Sequence, residues 1–212
     1  MNYTHIVWDF NGTLLDDVET GIRAVNRMLE KRAIPVISDA DAYRRVFCFP
    51  IREYYRALGF DFEAEPYEML APEWVANYRE SEAYSRLQEG AVRWLKRFSH
   101  MGVEQVLLSA TEYRMLCDQL HSWQIDGYFS EIYGLDNIHA HSKEGLALQF
   151  REAHPNARPL LIGDTLHDKE AANAMGADCV LFCGGHQSRA RLETAGCPVF
   201  SDFEELAGFL ET

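Results

Sequence analysis

Carboxylate, hydroxyl and ammonium side chains occur where predicted strands end or predicted helices begin. Five of them stand out, namely Asp9, Ser109, Lys143, Asp164 and Asp168. Carboxylate oxygens are the ligands that Mg²⁺ prefers, and a lysine with a hydroxyl can hold the oxygens of a phosphate. A carboxylate can also attack phosphorus itself. These residue types therefore indicate metal-assisted phosphate chemistry, provided that the fold brings them together.

Short apolar strands alternate with helices along most of the chain, which is typical of a parallel sheet covered by helices on both faces. Apolar runs predict strands at 3–9, 104–108, 128–133, 159–162 and 179–182. Helical spacing predicts the intervening helices at 92–100, 113–123, 143–154, 168–175, 189–195 and 203–210. Ligands bind at the carboxyl edge of such open, doubly wound α/β sheets, so we expect the polar residues to converge there.

A run of helices interrupts this alternation after the first strand. Helical spacing predicts helices over 18–31, 39–46, 51–58 and 66–84. A crossover between parallel strands needs only about a dozen residues, so about 70 residues here are surplus. We therefore expect residues 1–15 and 88–212 to form the α/β core. Residues 16–87 would form an inserted helical subdomain over the carboxyl edge of the sheet.

The composition excludes several classes of protein. The chain has 212 residues and a formal net charge of −13, which argues against nucleic acid as a partner. No apolar run approaches the ~18–20 residues that span a membrane, and the N-terminus lacks the pattern of a signal peptide. The five cysteines form no C-x-x-C pair, which favours a reduced, cytoplasmic setting. We expect His139 and His141 to face solvent in a loop.

The motifs and their order resemble those of the haloacid dehalogenase superfamily. The chain reads DFNGTL from Asp9, VLLS up to Ser109, a lysine at Lys143, and GDTLHD from Gly163 to Asp168. The insert resembles the family's helical C1 cap, and the GDTLHDKEAANAMGAD stretch resembles the phosphoglycolate phosphatase branch. The resemblance implies a Rossmann-like core and a phosphohydrolase that acts on a small phosphorylated metabolite with Mg²⁺ as cofactor.

The resemblance also implies a nucleophile and a set of metal ligands. Asp9 would attack the phosphorus, form an aspartyl-phosphate and bind the metal. The backbone carbonyl of Asn11 and the carboxylate of Asp164 would be further ligands. Asp168 would support the metal or the neighbouring lysine.

A second set of residues would bind the phosphoryl group of the substrate. By the resemblance, Ser109 and Lys143 would contact its oxygens. The backbone N–H groups of residues 10–12, which include Gly12, and of Ala110 would complete the cradle, as oriented amides do for anions.

Asn11 departs from the family's pattern, because phosphatases of the family carry Asp at this position as general acid and base. An amide cannot exchange a proton, and general acid–base catalysis contributes ~10²–10⁴-fold. We therefore expect slow turnover unless His167 or His186 substitutes. The asparagine is also compatible with a substitution made to trap an intermediate, with a degenerate protein that binds a phosphate or a partner, or with another phosphotransfer such as that of a phosphomutase.

The insert carries four arginines that could contact a substrate carboxylate, namely Arg44, Arg45, Arg52 and Arg56. Guanidinium groups suit planar anions, and we take Arg45 and Arg52 as substrate-binding candidates. The alternative is that these arginines pair with surface acids such as Glu53. The sequence leaves open whether the protein is a monomer or a homodimer.

Overall fold

The computed structural model describes residues 2–136 and 143–210 of the chain. Its strands are β1 (His5–Trp8), β2 (Leu15–Asp16), β3 (Arg86–Leu87), β4 (Glu104–Glu112), β5 (Glu131–Leu135), β6 (Pro159–Gly163), β7 (Asp178–Phe182) and β8 (Val199–Phe200). Six of them form one sheet in the order β5-β4-β1-β6-β7-β8, and every neighbouring pair is parallel. This is the doubly wound α/β core that the sequence predicts.

The helices that cover this sheet alternate with its strands, whereas the helices of the insert follow one another between β2 and β3. In chain order the helices are α1 (Val18–Lys31), α2 (Ala40–Val46), α3 (Ile51–Leu58), α4 (Tyr67–Glu80), α5 (Ala91–His100), α6 (Tyr113–Ser122), α7 (Glu144–Ala153), α8 (Leu166–Met175), α9 (Arg189–Leu192) and α10 (Leu206–Leu210). Each lies within a few residues of a predicted helix. In the described part of the chain, no helix has both the length and the apolar character that crossing a membrane requires.

Both faces of the sheet are buried, and β1 shows this most clearly. Ile6 and Trp8 pack into one apolar cluster with Phe98 and Phe203, whereas Val7 packs into a second cluster on the opposite face with Phe150. Successive side chains of a strand point to opposite faces, so an uninterrupted apolar strand requires cover on both sides. This arrangement fixes β1 in the centre of the molecule.

The helices α1 to α4 share an apolar cluster of their own, and α1 packs against α4. The chain enters and leaves this helical region through the antiparallel pair β2 and β3, in which Leu15 lies opposite Leu87. The sequence did not predict this pair, because two residues per strand are too few for a periodic pattern. The boundary predicted at residues 15/16 falls within β2, and the one predicted at 87/88 falls at the end of β3.

The bounds of two predicted strands differ clearly from the structure, and one further strand of the sheet was not predicted. β4 continues to Glu112 beyond its predicted end at residue 108, with an irregular register against β5 between Leu108 and Glu112. β5 begins at Glu131 rather than at 128, because residues 126–128 form a 3₁₀ turn at Asp126-Gly127. The sequence prediction also missed β8, which has two residues. His139 and His141 lie outside the described residues.

Candidate active site

The structure brings the predicted polar residues together at the carboxyl edge of the sheet. Asp9 directly follows β1, where its backbone N–H donates to the carbonyl of Ile162 at 2.9 Å. Lys143 precedes α7, and its Nζ donates to Oδ1 of Asp9 and, at 2.6 Å, to Oδ1 of Asp168. All three charged side chains are buried. The lysine therefore holds the carboxylates of two different motifs together.

Three buried carboxylates, those of Asp9, Asp164 and Asp168, each offer an oxygen within 4.8 Å of the others. Asp9 Oδ2 is a buried atom without a hydrogen-bond partner among the described residues. Asp168 is already fully engaged, because its Oδ2 accepts from Thr165 Oγ1 at 2.7 Å while its Oδ1 accepts from Lys143. The unpartnered oxygen belongs to Asp9, whereas Asp164 accepts from Thr13 Oγ1 at 3.4 Å and from the backbone N–H of His186 at 2.6 Å. A carboxylate oxygen has more than one lone pair, and such a set of hard oxygen donors fits Mg²⁺.

The buried cluster contains three carboxyl groups but one ammonium group, and this imbalance shifts the pKa values of its members. Burial raises the pKa of Asp9 to about 6, although Lys143 opposes the shift. Burial also raises the pKa of Asp164 well above its ordinary value. Burial lowers the pKa of Lys143, but Asp168 and Asp9 outweigh it and raise that pKa above its usual range. A divalent cation beside Asp9 and Asp164 would supply the missing charge.

Gly12 has a different role from the one predicted. Its backbone N–H already donates to the carbonyl of Leu15 at 2.8 Å and to Oδ1 of Asp17 at 2.9 Å, so it is not free to bind a phosphoryl oxygen. Gly12 has a φ of 82°, which favours glycine, and a Cβ there would lie 2.1 Å from Oδ2 of Asp164. Glycine is needed because the loop approaches the carboxylate so closely.

Ser109 and Ala110 lie where β4 loses its regular register against β5. The Ser109 side chain is buried, and its Oγ accepts a hydrogen bond from the backbone N–H of Thr111 at 3.1 Å, which leaves the hydroxyl hydrogen available. Both residues line the same cavity as Asp9 and Lys143. Irregularities of this kind commonly re-aim side chains next to active sites.

The amide of Asn11 is held in one orientation by three neighbours. Its Nδ2 donates to Oδ2 of Asp17 at 2.9 Å and to the hydroxyl of Tyr78 at 3.1 Å. Its Oδ1 accepts from the hydroxyl of Thr111 at 2.8 Å. Both amide hydrogens are therefore engaged. A carboxylate at position 11 would place one of its oxygens against the carboxylate of Asp17.

Asp17 is a site residue that the sequence did not single out. It is 2% exposed, and it accepts from Asn11, from Tyr78 at 2.7 Å and from the backbone of Gly12, while Nε2 of His186 lies 3.2 Å from its Oδ1. Asp17 precedes α1, where an acidic residue also serves to complement the helix dipole, so its sequence position carries no distinct signal.

The two histidines that could replace an acid at position 11 differ in their surroundings. Burial lowers the pKa of His167 to about 4, and its Nε2 accepts from the backbone N–H of Lys143 at 3.3 Å. Burial lowers the pKa of His186 too, but Asp17 outweighs it and raises that pKa to about 9. His186 lines the cavity and also contacts the hydroxyl of Tyr43 at 2.9 Å.

Above these residues lies a cavity of about 160 Å³. Side chains of the helical insert form most of its apolar wall, namely Tyr43, Phe47, Phe49, Ile51, Tyr54, Tyr55, Tyr67, Ala71, Trp74, Val75 and Tyr78. Over the residues 2–136 and 143–210, the positively charged groups that line it are Lys143 and His186. The cavity is thus polar at the sheet edge and aromatic at the insert.

The structure does not bring the predicted arginines to this cavity. Arg45 is exposed, and Arg52 pairs with Glu68 and lies over the ring of Tyr67, 4.5 Å from its centre. Neither residue lines the cavity. Arg44, from the same group, donates to the carbonyl of Gly185 at 2.8 Å. Arg44 and Arg52 stay away from the cavity because a carbonyl and a carboxylate outside it accept the hydrogen bonds of their guanidinium groups.

Comparison with known proteins agrees with this arrangement. The sequence model of the family described as haloacid dehalogenase-like hydrolase matches residues 6–182. A phosphoglycolate phosphatase of Pseudomonas fluorescens is 27% identical over 189 residues, which cover 85% of this chain and 70% of that protein.

Solved structures show the same fold. A haloacid dehalogenase-like hydrolase of Streptococcus pneumoniae superposes with a TM-score of 0.81 at 20% identity and 98% coverage of both chains. The Protein Tyrosine Kinase A of Mycobacterium tuberculosis superposes with a TM-score of 0.82 at 23% identity and 99% coverage of both chains. At these identities the likeness concerns the fold alone.

Proposed function

This chain belongs to the haloacid dehalogenase-like hydrolase family, and we propose that it is a phosphatase that cleaves a small phosphomonoester through an aspartyl-phosphate at Asp9, with Mg²⁺ as cofactor. The observation that carries this proposal is the state of Asp9. One of its oxygens is held by Lys143, whereas the other is buried without a partner among the described residues. A fixed carboxylate with one free oxygen suits attack on phosphorus.

The proposed reaction has two steps. In the first, an oxygen of Asp9 forms a bond to phosphorus, the ester P–O bond breaks, and the alcohol oxygen leaves with the bonding electron pair. In the second, water attacks the same phosphorus, the aspartyl P–O bond breaks with its electron pair going to the carboxylate of Asp9, and hydrogen phosphate is released. The proton that the attacking water loses passes to solvent, where it balances the proton that the alcohol oxygen takes up. Such catalysis depends mainly on positioning and on neutralising the charge of the phosphoryl group.

The residues present fit a divalent cation. Asp9, Asp164 and the backbone carbonyl of Asn11 would hold Mg²⁺, and the cation would supply neutralisation of phosphoryl charge. Asp168 would keep Lys143 in place, because both oxygens of Asp168 already accept hydrogen bonds from fixed groups. Lys143, Ser109 and Ala110 would contact the phosphoryl oxygens from the sheet edge. Residues 16–87 would act as a cap that excludes water from the site.

In our proposal, Asn11 limits the turnover rate of this reaction. Its amide hydrogens are engaged by Asp17 and Tyr78, so it supplies neither a proton nor a free hydrogen bond to the leaving oxygen. We expect turnover about 10²–10⁴-fold below that of a relative with Asp at this position. A protein that binds a phosphate or a partner without turnover is the competing function, and activity assays separate the two.

Phosphate release from an aryl phosphate, measured with and without Mg²⁺, tests the proposal. We expect slow release that depends on Mg²⁺ and disappears in Asp9→Asn. If Asp9→Asn leaves the rate unchanged, Asp9 is not the nucleophile. If wild-type protein releases no phosphate but binds inorganic phosphate with Mg²⁺, the protein is a binding protein instead.

A further inference from the structure

The aromatic wall of the cavity has no partner for a charged leaving group among the described residues of the insert. The phosphoryl group must lie at the sheet edge beside Asp9 and Lys143, so the remainder of the substrate faces the insert. There the wall consists of rings and aliphatic side chains, including Phe47, Tyr54 and Trp74. A carboxylate buried against such a surface without a cation is strongly unfavourable.

Three arginines of the insert that could have bound a substrate carboxylate form salt bridges or hydrogen bonds outside the cavity. Arg52 pairs with Glu68, and Arg56 pairs with Glu53. Arg44 donates to the backbone carbonyls of Gly184 and Gly185. These three guanidinium groups lie outside the cavity lining, so the insert surface selects against a carboxylate such as that of phosphoglycolate.

Several residues of the aromatic wall carry a polar atom, and the hydroxyls of Tyr43 and Tyr78 already have hydrogen-bond partners. The hydroxyl of Tyr54 is buried without a hydrogen-bond partner among the described residues, and the residue is only 3% exposed. Burial raises the pKa of this hydroxyl above its ordinary value, so it is a neutral donor. A buried hydroxyl left without a partner is costly, which indicates that a polar atom of the ligand completes it.

The chemistry of the leaving group points in the same direction. Because both amide hydrogens of Asn11 are engaged, the leaving oxygen must depart without a proton from that position. A phenolic oxygen tolerates this well, since phenols such as the tyrosine side chain have a pKa of about 10. An aliphatic hydroxyl has a pKa closer to that of water, about 16, and leaves poorly as an anion.

We propose that the substrates are monophosphate esters of uncharged aromatic hydroxyl compounds, with a polar ring substituent that meets the hydroxyl of Tyr54. This inference rests on the proposed phosphatase function. The aromatic wall selects the ring by packing, and the engaged amide of Asn11 restricts turnover to leaving groups that depart as stable anions. The described part of the insert offers no cation to the cavity, and the core cation His186 is already paired with Asp17 at 3.2 Å, so carboxylate-bearing esters are disfavoured.

A substrate series on the wild-type protein tests the inference directly. Values of kcat/KM would be measured with Mg²⁺ for 4-nitrophenyl phosphate, phenyl phosphate, an alkyl phosphate and phosphoglycolate. We expect both aryl esters to exceed phosphoglycolate by about 10²-fold or more, the order of an uncompensated general acid. Equal or faster hydrolysis of phosphoglycolate would overturn the inference while leaving the phosphatase function intact. No hydrolysis of any ester would overturn the function and the inference with it.

The variant Tyr54→Phe tests the role of the unpartnered hydroxyl of Tyr54, because it removes one oxygen and keeps the ring. We expect kcat/KM for 4-nitrophenyl phosphate to fall about two- to tenfold, the effect of one neutral hydrogen bond, with no change for phenyl phosphate. An equal loss for both esters would contradict a hydrogen bond to the substituent. A thermal melting curve that matches the wild-type curve confirms that the variant is folded.

Discussion

The two walls of the cavity differ in their chemistry, because one consists of hydrogen-bonded charged groups and the other of packed aromatic rings. At the sheet edge, nearly every polar group of Asp164, Asp168 and Lys143 has a partner within the motif loops, and Asp9 keeps one free oxygen. At the insert, rings pack against rings, and the hydroxyl of Tyr54 has no hydrogen-bond partner among the described residues. The sheet edge therefore carries the chemistry in our account, and the insert carries the selection of the substrate.

The largest effect should come from the sheet edge. Replacing Asp9 by Asn removes the nucleophile, and we expect turnover to fall by about 10⁴-fold or more. Stability should not fall, because burial disfavours the charge of Asp9 and Lys143 keeps Asp168 as its partner. Phosphate release and a thermal melting curve check the two parts. A melting temperature well below that of the wild type would contradict this view of the buried charge.

The variant Lys143→Met should destabilise the protein most. It would leave the buried carboxylates of Asp9 and Asp168 without their cation, which costs about 3–5 kcal/mol for a broken buried pair. Urea unfolding without added Mg²⁺ measures the free energy of unfolding. The matched control is Lys31→Met, because the ammonium of Lys31 pairs with Glu73 at the surface and should contribute less than about 1 kcal/mol. Equal effects of the two variants would refute the contrast.

Exchanging the groups at positions 11 and 17 tests why an amide is present. The variant Asn11→Asp would place a carboxylate oxygen where an amide nitrogen now lies 2.9 Å from Asp17, and we expect a loss of about 1–3 kcal/mol. The double variant Asn11→Asp/Asp17→Asn restores a donor and an acceptor, so it should recover most of that loss. Urea unfolding of the four proteins of the cycle measures the coupling. Additive effects would show that the two residues do not constrain each other.

The smallest effect should come from the outer side of the insert. Arg32 pairs with Glu65 and Glu73 at 2.6 Å, and its hydrogen bonds to them lower the pKa of both carboxyls. Carboxyls with a lowered folded-state pKa stabilise the protein above their unfolded-state pKa, and this contribution is lost as the pH falls below about 4.5. Unfolding measured from pH 7 to 3 should therefore show a shallower decline of stability below about pH 4.5 in Arg32→Met. An unchanged decline would exclude this cluster as its source.

Motif spacing and sheet topology explain why the sequence predicted much of the sheet edge. Asp9 and Asp164 each follow a strand of one parallel sheet, so their convergence follows from the alternation of strands and helices. The insert could be predicted only as a set of helices. The orientation of Arg52 depends on its contacts with Tyr67 and Glu68, which belong to another helix. The local spacing of residues around Arg52 does not contain this information.

Asp17 illustrates the same limit at the sheet edge. Its partner Tyr78 is 61 residues away on α4, and the contact exists only because α4 packs against α1. Two consecutive acids at a helix start give no indication of which one is buried. The contact matters because it determines the orientation of Asn11, the residue that departs from the family's pattern.

A rapid-mixing experiment with 4-nitrophenyl phosphate and Mg²⁺ tests the central claim most directly. Without an acid or base at position 11, an aryl group should still leave quickly, whereas water should cleave the aspartyl-phosphate slowly. We predict a burst of nitrophenolate equal to the enzyme concentration, and the added mass of one phosphoryl group on the peptide that contains Asp9. Linear release from the start, with no phosphoryl group on that peptide, would contradict the account.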